Sequence, residues 1–301
     1  MPKASTDITC WPLAIRAGVE LRTRCRVREI STNAQGMATG VVYFDPEDKE
    51  HFQPAEVVVP ASNGVGTPRL LPNSTSSRFP NGLANSSGLV GRNLMFHPHA
   101  GIHGTFHAAL DGHRGPGNLM CSQEFHETDA ARDFVRGDTF EFTHGRGPVM
   151  TALSGTGSGR IPWGAGHPAA YRRLHDRITG RVAICEDLPE EHNRVTLDPV
   201  LTHGGWHLMG TARMGTDPER SVVNEWSRSH DVKNLFIVDG SIFVASVGVN
   251  PTATIQALAL YSADNIEKRL ANLFDSSSRT HLPQAHFPFE LETTPRWAIP
   301  T

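Results

Sequence analysis

Nowhere do the 301 residues contain G-x-G-x-x-G, the glycine-rich turn that opens a dinucleotide-binding strand-turn-helix unit. Two glycine clusters come near it. Gly164-Ala-Gly166-His-Pro-Ala169 fits the looser form ending in alanine, but Pro162 precedes it and Pro168 interrupts it, so a loop is expected. Gly155-Thr-Gly-Ser-Gly159 lacks the third glycine and the lysine of a phosphate-binding loop, and reads as a flexible turn. Cysteine is also scarce. Cys10, Cys25, Cys121 and Cys185 are widely spaced with no Cys-x-x-Cys, which fits free thiols in a reducing compartment better than a disulfide framework, slightly favouring the cytoplasm. No apolar run reaches the length of a transmembrane helix, and the segment Met1 to Asp7 has no apolar signal core. There is no basic excess either: the formal charge of -3 argues against a nucleic-acid surface.

What is present describes a loop-rich globular chain long enough to bury a sizeable core. With 28 Gly and 21 Pro, turns should outnumber regular elements. Glu20 to Ile30, Gly40 to Phe44 and Glu56 to Val59 read as strands of a meander, with turns at Asn33 to Gly36 and Asp45 to Asp48. Further strands are expected at Gly101 to His107, Thr139 to Phe142 and Gly180 to Glu186, and a short helix over Pro168 to Arg177. From Ser276 the Ser/Pro/Thr-rich sequence shows no helical period and reads as a tail. Among the 16 histidines, His97, His99, His103 and His107 invite a metal reading. On a strand, however, His103 and His107 would stand about 13 Å apart. One ion cannot span that, so these are expected to be strand histidines that hydrogen-bond near a cleft, with no metal.

The densest chemistry lies in His207-Leu-Met-Gly-Thr-Ala-Arg-Met-Gly215, Asn234-Leu-Phe-Ile-Val-Asp-Gly-Ser241 and Gly248-Val-Asn-Pro-Thr252. Leu235 to Val238 is an apolar run of β-formers closed by Asp239-Gly240, the pattern of a strand buried on both faces in a parallel sheet. Ligands of such sheets sit beyond the carboxyl ends of the strands, where Asp239 would lie. Asn250 suits an N-cap and Pro251 the first helical position. Ile255, Leu258, Ala259, Ser262, Ile266 and Leu270 repeat at helical spacing, so a helix should run from about Pro251 to Leu270. Its positive end would favour an electron-rich group. The bland alternatives are an ordinary helix entry, an ordinary turn and a core histidine.

Together these residues resemble the C-terminal signature of the glucose-methanol-choline (GMC) oxidoreductases, flavoproteins that oxidise alcohols. Upstream, Ala61-Ser-Asn-Gly-Val-Gly-Thr-Pro-Arg-Leu-Leu71 is similar to the family's turn from strand to helix beneath the cofactor. Gly88-Leu-Val-Gly-Arg-Asn-Leu-Met-Phe-His-Pro98 is similar to the crossing from flavin domain to substrate domain. Around the last helix the wording is most like the gluconate-dehydrogenase-like sugar and polyol enzymes. The resemblance implies an α/β (α+β) fold, a partial FAD-binding Rossmann-like domain plus an antiparallel-sheet substrate domain. The expected division is 1–95 and 204–272 for the flavin domain, 96–203 for a shortened substrate domain and 273–301 for the tail.

The chemistry it implies is oxidation of a CH–OH group in an alcohol, sugar or polyol, with hydride passing to FAD. That needs a base of near-neutral pKa. By resemblance His207 is that base or the group that orients the hydroxyl. Asn250 stands where the family has its second active-site residue, either binding the substrate oxygen or capping its own helix. Val27, Asp239, Gly240, Asn250, Pro251 and Thr252 are the implied cofactor contacts, Val27 at the adenine. An electron-acceptor protein is a possible partner by the same analogy. The missing glycine fingerprint and the short link between Asp198-Pro199 and Gly204-Gly205 set an alternative beside this reading. In that alternative the chain is a non-catalytic truncated remnant, or half of a split flavoprotein that does not bind FAD alone.

Overall fold

The computed structural model describes residues 5–112, 114, 118–129, 131–132, 136–143, 145, 147–197, 207–246 and 248–269. The expected tail and the short link between Asp198 and Gly205 lie outside the described residues. A seven-residue helix α1 (Cys10–Arg16) with no buried side chain precedes a meander of β1 (Arg26–Thr32), β2 (Ala38–Phe44) and β3 (Glu50–Pro54). The three strands pair antiparallel in the order β1-β2-β3. Both hairpin turns are built by one side chain each: Asn33 Oδ1 accepts the Gln35 and Met37 amides, and Asp45 Oδ1 those of Glu47 and Lys49.

Two expectations for this meander are corrected. The first strand starts at Arg26, not Glu20, because Arg24 adopts a left-handed backbone (φ 58°) that no strand continues through. The third strand is Glu50–Pro54 and not Glu56 to Val59, because the tight Asp45 turn returns the chain into register at once, Phe44 opposite Glu50. Val58 is thereby released to pair elsewhere, in a parallel bridge with Leu235. The amides of Val58, Phe236 and Val238 donate to the carbonyls of Asn234, Val58 and Pro60. This is the parallel pairing expected for Leu235 to Val238, reduced to bridges. On its other side Ile237 N donates to the Ser227 carbonyl, and Leu235, Phe236 and Ile237 are all buried.

Helix α2 (Asn63–Asn73) packs under this layer, followed by the second sheet: β4 (His99–Thr105), β5 (Asn118–Ser122), β6 (Asp138–Thr143) and β7 (Ile178–Cys185). Its order is β4-β7-β6-β5, antiparallel throughout. Between β6 and β7 lie α3 (Pro148–Gly157) and α4 (His167–Leu174). Gly155 is therefore not a flexible turn but part of the last turn of α3, buried where a Cβ would run into Ile161. Gly164 and Gly166 do precede a helix, α4, yet no strand leads into them. Helix α5 (Thr252–Arg269) closes the described chain within a residue of its expected bounds.

One apolar core joins Ile30, Val58, Leu71, Leu83, Met95, Met209, Val223, Leu235, Ile237 and Ile242. Asn234 sits in it and satisfies three backbone groups: its Oδ1 accepts Ala38 N at 2.9 Å, and its Nδ2 donates to the carbonyls of Ala38 and Glu56 at 2.8 and 2.6 Å. The mixed helix and antiparallel-sheet architecture agrees with the expected α/β (α+β) class.

Candidate active site

The site is assembled by one antiparallel bridge. Met95 and Met209 exchange both backbone hydrogen bonds at 3.0 and 3.1 Å. Two residues out along that pairing, His97 and His207 face each other across the join. Their Nδ1 atoms are 3.1 Å apart, and the rings meet edge to face with centroids 4.8 Å apart. His97 is buried and His207 half-buried.

His207 itself has a left-handed backbone, φ 58°, which a residue with a Cβ adopts only when its surroundings hold it there. The holding contact is its neighbour. The Leu208 carbonyl is wedged between Gly64 of α2 and Gly240, and a Cβ on either glycine would stand 2.5 or 2.6 Å from that oxygen. From there the chain zips along Gly240 to Ile242, Ala212 N donating to Ser241 O and Met214 N to Ile242 O. Thr211 Oγ1 donates to Gly64 O at 2.7 Å.

Asp239 belongs to the same frame. One carboxylate oxygen accepts Asn63 N at 3.0 Å and the Thr67 hydroxyl, the other Ser241 N at 2.8 Å. The side chain expected to meet a cofactor thus ties α2 to the turn Gly240–Ile242. Gly240 and Pro251 are buried, and Thr252 is exposed at the opening of α5. Val27 lies opposite Tyr43 in the meander, and no described contact joins it to the histidines.

Asn250 is brought to the second sheet. Its Nδ2 donates to Glu141 Oε1 at 2.9 Å. A carboxylate only accepts, so the amide orientation is set by chemistry. Glu141 is buried in β6, beside Thr139, which donates from Oγ1 to the Gly248 carbonyl. Burial holds the His207 pKa below its ordinary value, His99 adds to the lowering, and Glu141 opposes it. Glu141 thus acts on both groups, by hydrogen bond on Asn250 and by charge on His207. An imidazole of lowered pKa can take a proton from a hydroxyl.

Sequence reasoning did not find Glu141 and did not pair His97 with His207. Thr139, Glu141 and Thr143 alternate along β6, a polar stripe on one strand face that could have marked Glu141. Nothing local could join residues 97 and 207. Among the described residues no group of His, Cys, Asp and Glu could hold a metal, and no helix is long and apolar enough to cross a membrane.

The chain belongs to the GMC oxidoreductase family. The family's N-terminal model matches residues 2–99 and its C-terminal model residues 170–259. The chain is 36% identical to 2-methyl-1,2-propanediol dehydrogenase of Mycolicibacterium austroafricanum, over 89% of this chain and 58% of that protein. It is 30% identical to the fructose dehydrogenase large subunit of Gluconobacter japonicus, over 84% and 55% respectively. To the gluconate 2-dehydrogenase flavoprotein of Pantoea cypripedii it is 23% identical, over 89% and 54%. The chain thus spans a little over half the length of these relatives. The structure of a formate oxidase of Aspergillus oryzae RIB40 superposes with TM-score 0.56 at 14% identity, covering 83% of this chain and 61% of that one, a likeness of fold alone.

Proposed function

We propose that this chain carries the proton-transfer and flavin-ring half of an FAD-dependent oxidoreductase acting on CH–OH groups of an alcohol, sugar or polyol. The observation that carries the reading is Glu141, which accepts from Asn250 just before α5 and acts by charge on His207, whose pKa burial lowers. The residues present suit the ring end of FAD: the first turn of α5 has no acidic residue to neutralise its positive dipole, and Thr252, Ala253 and Thr254 there are exposed. They do not supply the phosphate end, for which no glycine fingerprint exists in the sequence. Pro251, Thr252 and Gly240 would hold the ring end through backbone, and Val27 the adenine. When bound, FAD supplies the hydride acceptor.

His207 takes the hydroxyl proton on Nε2, and Asn250, held by Glu141, fixes the substrate oxygen. Residues 1–95 and 204–272 form the flavin-domain part, and 96–203 the substrate part, in which β6 brings Glu141 to the site. The diol, fructose and gluconate dehydrogenases among the relatives favour a polyhydroxylated substrate. The word subunit in the name of one of them supports a partner protein, for which accepting electrons is the role proposed here.

The test is to purify the chain, add FAD, remove excess and record the visible spectrum. The bound protein should be yellow, and anaerobic addition of a 1,2-diol or sugar should bleach it. His207→Ala should keep the colour and slow bleaching by roughly 10²- to 10⁴-fold. A chain that stays colourless supports the remnant or split-protein alternative, and an unchanged bleaching rate removes His207 from the base role.

A further inference from the structure

The two histidines face each other nitrogen to nitrogen, and that geometry constrains their protons. An Nδ1 to Nδ1 separation of 3.1 Å is a hydrogen bond only if one nitrogen carries the hydrogen and the other a lone pair. The tautomers of His97 and His207 are therefore complementary. Choosing one chooses the other.

We propose that His97 is the positioning residue that sets the tautomer of His207: its Nδ1 accepts the His207 Nδ1–H, leaving Nε2 of His207 as the lone pair that receives the substrate proton. The proposal rests on the reading of His207 as base. Were His97 the donor instead, His207 would carry its hydrogen on Nε2 and could accept nothing there.

The setting of His97 suits the task. The Met95 to Met209 exchange fixes its backbone on one side. Phe96 N donates to Asp187 Oδ2 at 3.0 Å, and the Pro98 carbonyl accepts Cys185 N at 2.9 Å, so both neighbours are anchored to the end of β7. With 3% of its surface exposed, the ring is packed on its sides and cannot swing away. The remaining ionisable groups felt by His207 are His99 from β4 and Glu141 from β6.

The proton count closes. The substrate O–H bond breaks, the Nε2–H bond forms, and the Nδ1–H of His207 stays where it was, now a charge-assisted donor to His97. His97 gains and loses nothing. It acts only through His207, more favourably once that ring is charged.

The measurement needs no flavin. Ring-15N-labelled full chain, at a pH where the histidines are neutral, is examined by long-range proton–nitrogen correlation, with the His207 signals assigned through His207→Gln. The expected pattern is a protonated-type Nδ1 and a lone-pair-type Nε2 on His207. His97→Leu should return His207 toward the Nε2–H form that free imidazoles prefer, while His97→Asn, whose Oδ1 can stand near the Nδ1 position as acceptor, should restore the native pattern. In flavin-loaded enzyme, His97→Leu should lower kcat roughly 10²-fold or more with KM little changed, and His97→Asn should recover most of it. An Nε2–H form of His207 in the unaltered chain overturns the proposal, as does a native pattern that survives in His97→Leu. A native pattern in a chain that oxidises no alcohol would sink the function and leave the dyad standing.

Discussion

His207 combines a strained backbone with a perturbed side chain, and the two can be separated by substitution. At φ 58° an alanine retains the strain and a glycine does not, so His207→Gly should be more stable than His207→Ala by about 1 kcal/mol in urea unfolding. Its ionisation predicts a pH dependence. Burial and His99 depress the folded pKa below the ordinary value of 6.5, so between the two values the unfolded chain binds a proton that the folded chain does not. Stability from this group is complete above about pH 6.5 and is lost as pH falls through the folded value. Thermal melts from pH 7 to 5 should show a shallower fall in Tm for His207→Gln than for the unaltered protein. Asp239 belongs at this scale too. Asp239→Asn replaces one of two accepting oxygens by a donor and should cost about 1 to 3 kcal/mol through Asn63, Thr67 and Ser241.

Among the elements, α5 was the most legible from sequence, because Ile255, Leu258, Ala259, Ser262 and Ile266 keep one face of the helix and Asn-Pro marks the start. Strands β2, β6 and β7 were legible for the same kind of reason, each carrying β-branched or aromatic residues. Strand β5 was not. It is an edge strand of five residues, Asn118 to Ser122, with no β-branched or aromatic residue to announce it. Glycines misled in the opposite sense: Gly155 looked like a turn, yet Ile161 needs its missing side chain inside a helix. The same kind of close approach makes Gly64 and Gly240 sensitive. Gly64→Ala or Gly240→Ala would push a methyl against the Leu208 carbonyl, at an expected cost of about 1 to 3 kcal/mol. The His207 ring signals should move with it in NMR spectra.

Across the whole molecule, the second sheet meets the frame of residues 207–250 through a few polar ties: Glu141 to Asn250, Thr139 to Gly248, and Ser246 to Asp187. The Ser246 hydroxyl accepts Asp187 N at 2.8 Å and donates to Asp187 O at 3.0 Å, and the residue is buried. Ser246→Ala leaves both backbone groups without that partner and should destabilise by about 2 kcal/mol. Hydrogen exchange should speed up first at Asp187 and Phe96, which Asp187 also holds. Exchange that rises evenly over the protein would mean the sheets unfold as one block.

Short-range pattern, a period, a cap and an order of residues, was enough to show the family signature and the last helix and to single out His207 and Asn250 as candidates. Which groups face them was decided only by the tertiary structure. His97 lies 110 positions from His207 and Glu141 lies 109 from Asn250, and each meets its partner only because backbone pairing elsewhere brings the segments into register. Asp239 joins its partners the same way: its carboxylate holds Asn63 and Thr67, more than 170 positions away, together with the nearby Ser241. Long-range contacts of this kind depend on the register of distant strands and on where glycines let backbones touch, and neither quantity is written in any local stretch of the chain.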